Sequence, residues 1–272
     1  MRTSSRVRVV GHADRRRRAR RRRVLWGGGE VLVTVGVLLM LLVVHQLWWT
    51  NREARRGAER KVAALEREWR SDRAGSDGSR DTEGDGPGRG GTGGDPGTAP
   101  APTAGSGAST RQRSHTPVTL PRRSQAYAVL TVPRLHLRVP VAEGVSRAGV
   151  LDKGYVGHYR GTQQPGQAGN FALAGHRNTH GEPFRYLPRL RPGDDIEVET
   201  RTATYTYDVD KVLPRTSAAD SGVLRAVPRS LVRPGHGYDE PGYYITLTTC
   251  TPEFTSRYRM VVWGRLVSTR PR

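Results

Sequence analysis

The chain has one cysteine, Cys250, and it ends a strand-like run, "YYITLTTC", directly before "TPEFTSRYRMVVWG". Threonine and apolar residues alternate up to it, which is the period of a half-buried strand. Ile245 and Leu247 therefore share one face, and Thr246, Thr248 and Cys250 share the other. A structural thiol is more at home among apolar side chains. The parity instead directs Cys250 to a polar surface, where a thiolate can act as a nucleophile.

A cysteine nucleophile needs a proton donor and acceptor within reach, and a positive group for the oxyanion of a tetrahedral intermediate. Arg259 opens the next apolar run, and a hairpin through "TPEFTSRY" brings it beside Cys250 across antiparallel strands. A guanidinium there can orient a peptide carbonyl and hold its developing charge. In a chain this rich in arginine, a solvated strand arginine is the competing reading of Arg259. Arg257, two residues earlier, has the same strand parity and competes for the role. His176 follows the apolar run "NFALA" and Gly175, at the start of the polar loop "HRNTHGEPF". Alone, it reads equally well as a structural or surface histidine. His180, four residues on, raises zinc. The metal motif with that spacing requires a helix, whereas this segment is bounded by Gly175, Gly181 and Pro183 and has no carboxylate between its histidines. No metal and no cofactor are expected. His12, His45, His115, His136, His158 and His236 are read as structural or surface residues.

These side chains need a rigid scaffold, and from about Tyr127 to Arg272 the pattern is that of one globular domain. "AVLTVPRLHLRVPV" predicts two short strands broken at Pro133. "YVGHY", "NFALAG", "DIEVET", "ATYTYDVDKVL", "YYITLTT" and "YRMVVWGRLV" predict further strands, separated by turns such as "QPGQAGN" and "RPGD". "SRAGVLDKG" predicts one helical turn and "PFRYLPRL" a short helix. Asp194 and Asp195 belong to a turn and give no calcium site. Many short strands with little helix imply a mainly β domain, a closed barrel or a sandwich. There is no internal repeat.

The net charge of +20 over 272 residues would suit nucleic acid, but much of it lies in the tail from Met1 to Arg23. There Arg2, Arg6, Arg8, Arg15 to Arg18 and Arg20 to Arg23 are opposed only by Asp14. "VLVTVGVLLMLLVVHQLWW", Val31 to Trp49, follows without Asp, Glu, Lys or Arg, long enough for a membrane-spanning helix. Trp26 on one side and Trp48 with Trp49 on the other suit the interfacial belts. A cleaved signal peptide has a shorter apolar region ending at small residues, so an uncleaved anchor is expected. The arginine block then stays in the cytoplasm and the rest of the chain lies outside, although Arg52, Arg55 and Arg56 reduce the contrast. Anionic lipid accounts for the basic tail, and nucleic acid is excluded as a partner. A lone cysteine outside the cytoplasm cannot form an internal disulfide, so its thiol is either inert or reactive. "NREARRGAERKVAALEREWR", Asn51 to Arg70, continues the helix outward, and the Gly, Ser, Asp, Pro and Thr that follow form a spacer. "GGTGG" in that spacer has neither strand nor lysine beside it and is no phosphate loop.

The order His176, then "TLTTC" ending at Cys250, then Arg259 before an apolar strand resembles the sortases. "VPRLHLRVPVAEGV", "GQAGNFALAGHRNTHGEPF", "LRPGDDIEVET" and "TLTTCTPEFTSRYRMVVWG" resemble class E sortases of high-GC Gram-positive bacteria. The resemblance covers the globular region and implies an eight-stranded sortase-type β-barrel with short helices. The expected organisation is a cytoplasmic tail (1–23), a transmembrane anchor (24–50), a juxtamembrane helix (51–70), a flexible linker (71–124) and a catalytic domain (125–272). By the same resemblance, Cys250 attacks the Thr–Gly bond of a C-terminal sorting signal on a secreted protein. His176 transfers protons, Arg259 stabilises the oxyanion, and His180 and Thr249 contact substrate. An amine of a peptidoglycan precursor resolves the thioester. Class E relatives often carry tyrosine where this chain has His180, a position tied to LAxTG over LPxTG preference, so both signals stay open. The Asp-Pro-aromatic lid motif of pilin-polymerising sortases is missing, since Asp95-Pro96 precedes Gly97 in the spacer. That favours wall anchoring.

Two other readings compete. One is a different cysteine transpeptidase acting on peptidoglycan, but L,D-transpeptidases resemble "SHGC", and papain-like peptidases place cysteine before histidine. The other is a tethered binding or scaffold module whose Cys250 is inert.

Overall fold

The computed structural model describes residues 12–77 and 120–272. The arginines ahead of His12, and the spacer over 78–119, lie outside the described residues.

Eight strands close into a barrel: β1 (Ala126–Val132), β2 (Leu137–Glu143), β3 (Val156–His158), β4 (Gly169–Ala174), β5 (Asp195–Glu199), β6 (Ala203–Ser217), β7 (Tyr243–Thr251) and β8 (Tyr258–Pro271). Their order around the barrel is β1-β2-β3-β4-β7-β8-β6-β5. β2 with β3 and β4 with β7 pair in parallel, and the other neighbours run antiparallel. Pro133 breaks the first apolar run as expected, by starting a 3₁₀ turn, Pro133–Leu135, between β1 and β2. The other short helical pieces are 3₁₀ turns at Leu151–Lys153, Leu187–Arg189 and Ser221–Leu224.

Alternation sorts the strand side chains. Leu130, Val139, Phe171, Leu173, Ile245, Leu247 and Val262 fill the barrel interior. On the outer face, Val261, Trp263 and Tyr244 pack with Val223 and Tyr238 of the β6–β7 connection. Asp220 ties that connection down: it accepts hydrogen bonds from Thr216 and Ser230, each at 2.5 Å, and from the Leu231 amide at 2.9 Å. Burial alone would raise its pKa, but the hydrogen bonds outweigh burial and hold it below the usual carboxylate value.

The helix α1 (His12–Asp77) is continuous. It is long and apolar enough to cross a membrane, and the apolar window of that span is 0% buried against the rest of the chain. Leu32, Leu38, Leu41 and Val44 all face outward. Beyond Trp49 the helix becomes amphipathic: Ala54, Ala58, Val62, Leu65 and Trp69, at helical spacing, are buried on the barrel. Val62, Leu65 and Trp69 meet Ala126, Val129, Ala142 and Val150. β1 is therefore covered on both faces, which explains its nearly unbroken apolar sequence.

Candidate active site

The β7–β8 ladder sets Cys250 directly opposite Arg259. Both lie on the outer face, since their neighbours Thr249 and Met260 point the other way. Cys250 is half-buried and free. The expectation of an open polar face needs correcting for the rest of that strand. Thr246 and Thr248 are buried, donating to Asn170 Oδ1 at 2.7 Å and Leu173 O at 3.0 Å, because the β6–β7 connection and β4 cover them. The face opens only at its end, where Cys250 stands.

The parallel pairing of β4 with β7 sets Ala174 beside Thr248. One step further, the Gly175 amide donates to Thr248 O at 3.2 Å, and Thr249 Oγ1 donates to Gly175 O at 2.8 Å. This register carries His176 level with the cysteine. Thr249 is buried, so its hydroxyl serves the junction between the two strands. A Cβ on Gly175 would lie 2.7 Å from the Phe184 ring, which packs under the loop. Phe184 in turn donates its amide to His176 O at 3.0 Å and closes the loop.

Arg259 Nη1 donates to Ser256 O at 2.9 Å and Tyr258 O at 3.1 Å, so the hairpin backbone steadies the guanidinium. Arg257 is exposed in the hairpin, 5.3 Å from the Tyr258 ring centroid, and has no ladder position opposite Cys250. Sequence reasoning missed a second guanidinium. Arg177 Nη1 donates to Thr251 Oγ1 at 3.0 Å and Cys250 O at 3.3 Å, and its Nη2 is 3.7 Å from Glu253. Its only sequence signal is adjacency to His176.

Asp152, from the turn after β2, was also missed. His176 Nε2 donates to Asp152 Oδ1 at 2.9 Å. That bond fixes the Nε2–H tautomer and leaves Nδ1 to exchange a proton. His180 stacks on His176 with ring centroids 5.3 Å apart, and its Nδ1 is 3.7 Å from Asp152. His180 Nδ1 is buried without a hydrogen bond. Asp152, His176 and His180 bring donor atoms within 4.8 Å of one another, a set whose types fit zinc although the histidines lie on a loop. A groove of about 420 Å³, lined by Trp49, Glu53, Asp152 and Tyr155 among others, runs between α1 and the Asp152 turn.

A thiol, an imidazole held by a carboxylate and a guanidinium across the ladder form the constellation of a cysteine acyl-transfer enzyme. The sortase domain profile matches residues 130–267, and the chain belongs to the sortase family of cysteine transpeptidases. Its relatives put it in class E. It is 52% identical over 153 residues to sortase SrtE1 of Streptomyces coelicolor, an overlap spanning 54% of this chain and 42% of that relative. Sortase SrtE2 of the same organism is 34% identical over 226 residues, covering 81% of this chain and 73% of that one. The crystal structure of Streptomyces coelicolor sortase E1 with a tripeptide in its active site aligns with a TM-score of 0.52, over 56% of this chain and 94% of that one.

Proposed function

We propose that this chain is a membrane-anchored sortase that cleaves the Thr–Gly bond of a C-terminal LAxTG- or LPxTG-like signal and joins the new carboxyl end to a peptidoglycan-precursor amine. The observation that carries the reading is Cys250 paired with Arg259 in the β7–β8 ladder. Sγ of Cys250, as the thiolate, attacks the threonine carbonyl carbon. Arg259 turns toward the oxygen as it becomes negative. The C–N bond breaks, the glycine amine leaves with a proton from His176 Nδ1, and a thioester remains. The incoming amine attacks that carbon and yields its proton to His176, and the C–S bond breaks to restore the thiolate. A thioester conserves the acyl transfer potential, so no nucleotide is consumed. His180 shapes the preference between the signals, and Thr249 contributes by fixing Gly175 at the mouth of the loop.

The apolar span supports a single-pass anchor. In this reading residues 1–23 are cytoplasmic, 24–50 span the cytoplasmic membrane, 51–70 and the linker over 71–124 lie outside, and 125–272 catalyse. The partners are secreted proteins bearing the signal and a lipid II-type amine.

The test incubates the full chain in detergent with LAxTG and LPxTG peptides plus triglycine, read by mass spectrometry beside Cys250→Ala. A peptide joined to triglycine and lost in the variant is expected. A folded protein that forms no adduct on Cys250 with either peptide sinks the reading.

A further inference from the structure

The helix that leaves the apolar span does not simply carry the barrel. Its contacts converge on the loop that holds His176. Asn51 Nδ2 donates to Glu182 Oε1 at 2.8 Å, and the Gly181 amide donates to Asn51 Oδ1 at 3.2 Å. Arg55 donates from Nε to Gly181 O at 3.0 Å and from Nη2 to Glu182 Oε2 at 2.9 Å. The Glu182 side chain is only 5% exposed, and Arg185 at 2.7 Å is its other cation. A buried carboxylate that loses a charged partner is destabilised, so this end of the loop depends on the helix for much of its compensation.

The backbone gives the second argument. His180, Gly181 and Glu182 have φ of 52°, 84° and 53°, a run of left-handed residues of which two have side chains. A non-glycine residue in that region is strained and persists only where its surroundings hold it. Here part of that hold comes from Asn51 and Arg55 at Gly181 and Glu182, beside the loop's own bonds from the Glu182 amide to Thr179 O at 3.0 Å and from the Arg185 amide to Glu182 O at 3.1 Å. The helix also meets the other support of His176. A Cβ on Gly154 would lie 2.9 Å from Ala54 O and 3.1 Å from His180 O, so the Asp152 turn, the His180 loop and α1 close on one point. Further along, Glu66 pairs with Arg138, Glu68 with Arg201 at 2.5 Å, and Arg272 lies 5.2 Å from the Trp69 ring centroid, which fixes the helix axially on the barrel.

We propose that residues 51–69 of α1 are part of the catalytic unit, with Asn51 and Arg55 as positioning residues that act through Glu182 and Gly181 to hold the His176–His180 loop. Because Trp48 and Trp49 lie within one turn of Asn51, the same contact holds the reactive centre at the bilayer surface, where a lipid-linked amine is met. The inference rests on the membrane-anchored transpeptidase reading for its kinetic arm and for the placement at the bilayer surface.

The experiment uses the full chain in nanodiscs, comparing wild type, Asn51→Ala/Arg55→Ala and Arg55→Lys. Hydrogen exchange of amides 176–184 is read by mass spectrometry, and kcat and KM for thioacyl formation are measured with a sorting peptide. The double variant is expected to lose protection in the loop while β7 and β8 keep theirs, and to lower kcat about tenfold with KM nearly unchanged. Arg55→Lys, which keeps the charge beside Glu182, is expected to recover part of that rate. Unchanged loop exchange, or an unchanged kcat beside a looser loop, overturns the proposal. If wild type forms no thioester with any signal, the functional reading fails, and the exchange data still decide whether the helix holds the loop.

Discussion

Cys250 and Arg259 are held by a ladder, in which every residue from Tyr244 to Thr251 has a partner from Arg265 to Tyr258. His176 is held by a loop whose supports come from elsewhere: Asp152 from a turn after β2, Phe184 from below, and Asn51 with Arg55 from α1 through Glu182. The first arrangement is local and tolerant, because a hairpin enforces register through many equivalent hydrogen bonds. The second depends on a few long-range contacts, each of which can be cut singly. The difference teaches that Cys250 is part of the barrel, whereas His176 is a separately supported component.

Substitutions can break this comparison in order of effect. Cys250→Ala removes the acyl acceptor and is expected to lower turnover by at least about 10⁴-fold, with no adduct in intact mass spectra and an unchanged circular dichroism spectrum. Arg259→Ala is expected to lower kcat by about 10²–10³-fold. Arg257→Ala, in the exposed turn, is expected to stay within about twofold, and steady-state kinetics separate the two. Asp152→Ala takes away the bond that orients His176, and kcat is expected to fall by about 10–100-fold with the barrel equally stable to urea. Leu65→Ala leaves a cavity where α1 meets Val129 and Ala142 and costs about 2–5 kcal/mol of docking free energy. Limited proteolysis should then cut within residues 51–77 while the barrel stays intact.

The smallest effect concerns the ladder side. Asp220 is bonded to Thr216, the β6 partner of Arg259, and its carboxyl is held below its ordinary value. A depressed folded-state pKa stabilises the fold above the unfolded value of about 3.9 and loses that contribution as pH falls through the folded value. Urea midpoints are therefore expected to drop in wild type below about pH 4. Asp220→Asn should start lower and show less of that drop, without a change in turnover near neutral pH.

Much of the ladder side was legible in the chain alone. Alternation around Ile245 and Leu247 marks the inner face of β7, the apolar run after Arg259 marks β8, and the connection between them is short enough for a hairpin. The apolar span before Trp49 is equally direct, because twenty or so uncharged apolar residues have few other uses. Periodicity reports what lies near in sequence. It could not say that Thr246 and Thr248 are covered while Cys250 is open, since the cover arrives with the β6–β7 connection. Nor did Asn51 to Arg70, read only as an outward continuation of the helix, announce a docked face, because the stripe Ala54, Ala58, Val62, Leu65 and Trp69 is interleaved with many charges and opens on two alanines.

By itself, then, the sequence determined the strands, the hairpin that joins a thiol to a guanidinium, and a helix suited to lipid. Only the tertiary structure decided that Asp152 meets His176, that Arg177 bonds the Cys250 carbonyl, and that Asn51 reaches Glu182 across 131 positions of chain. The physical reason is that strand register follows from neighbouring hydrogen bonds, whereas a contact across such a separation exists only once the barrel has closed and presents both partners at one place.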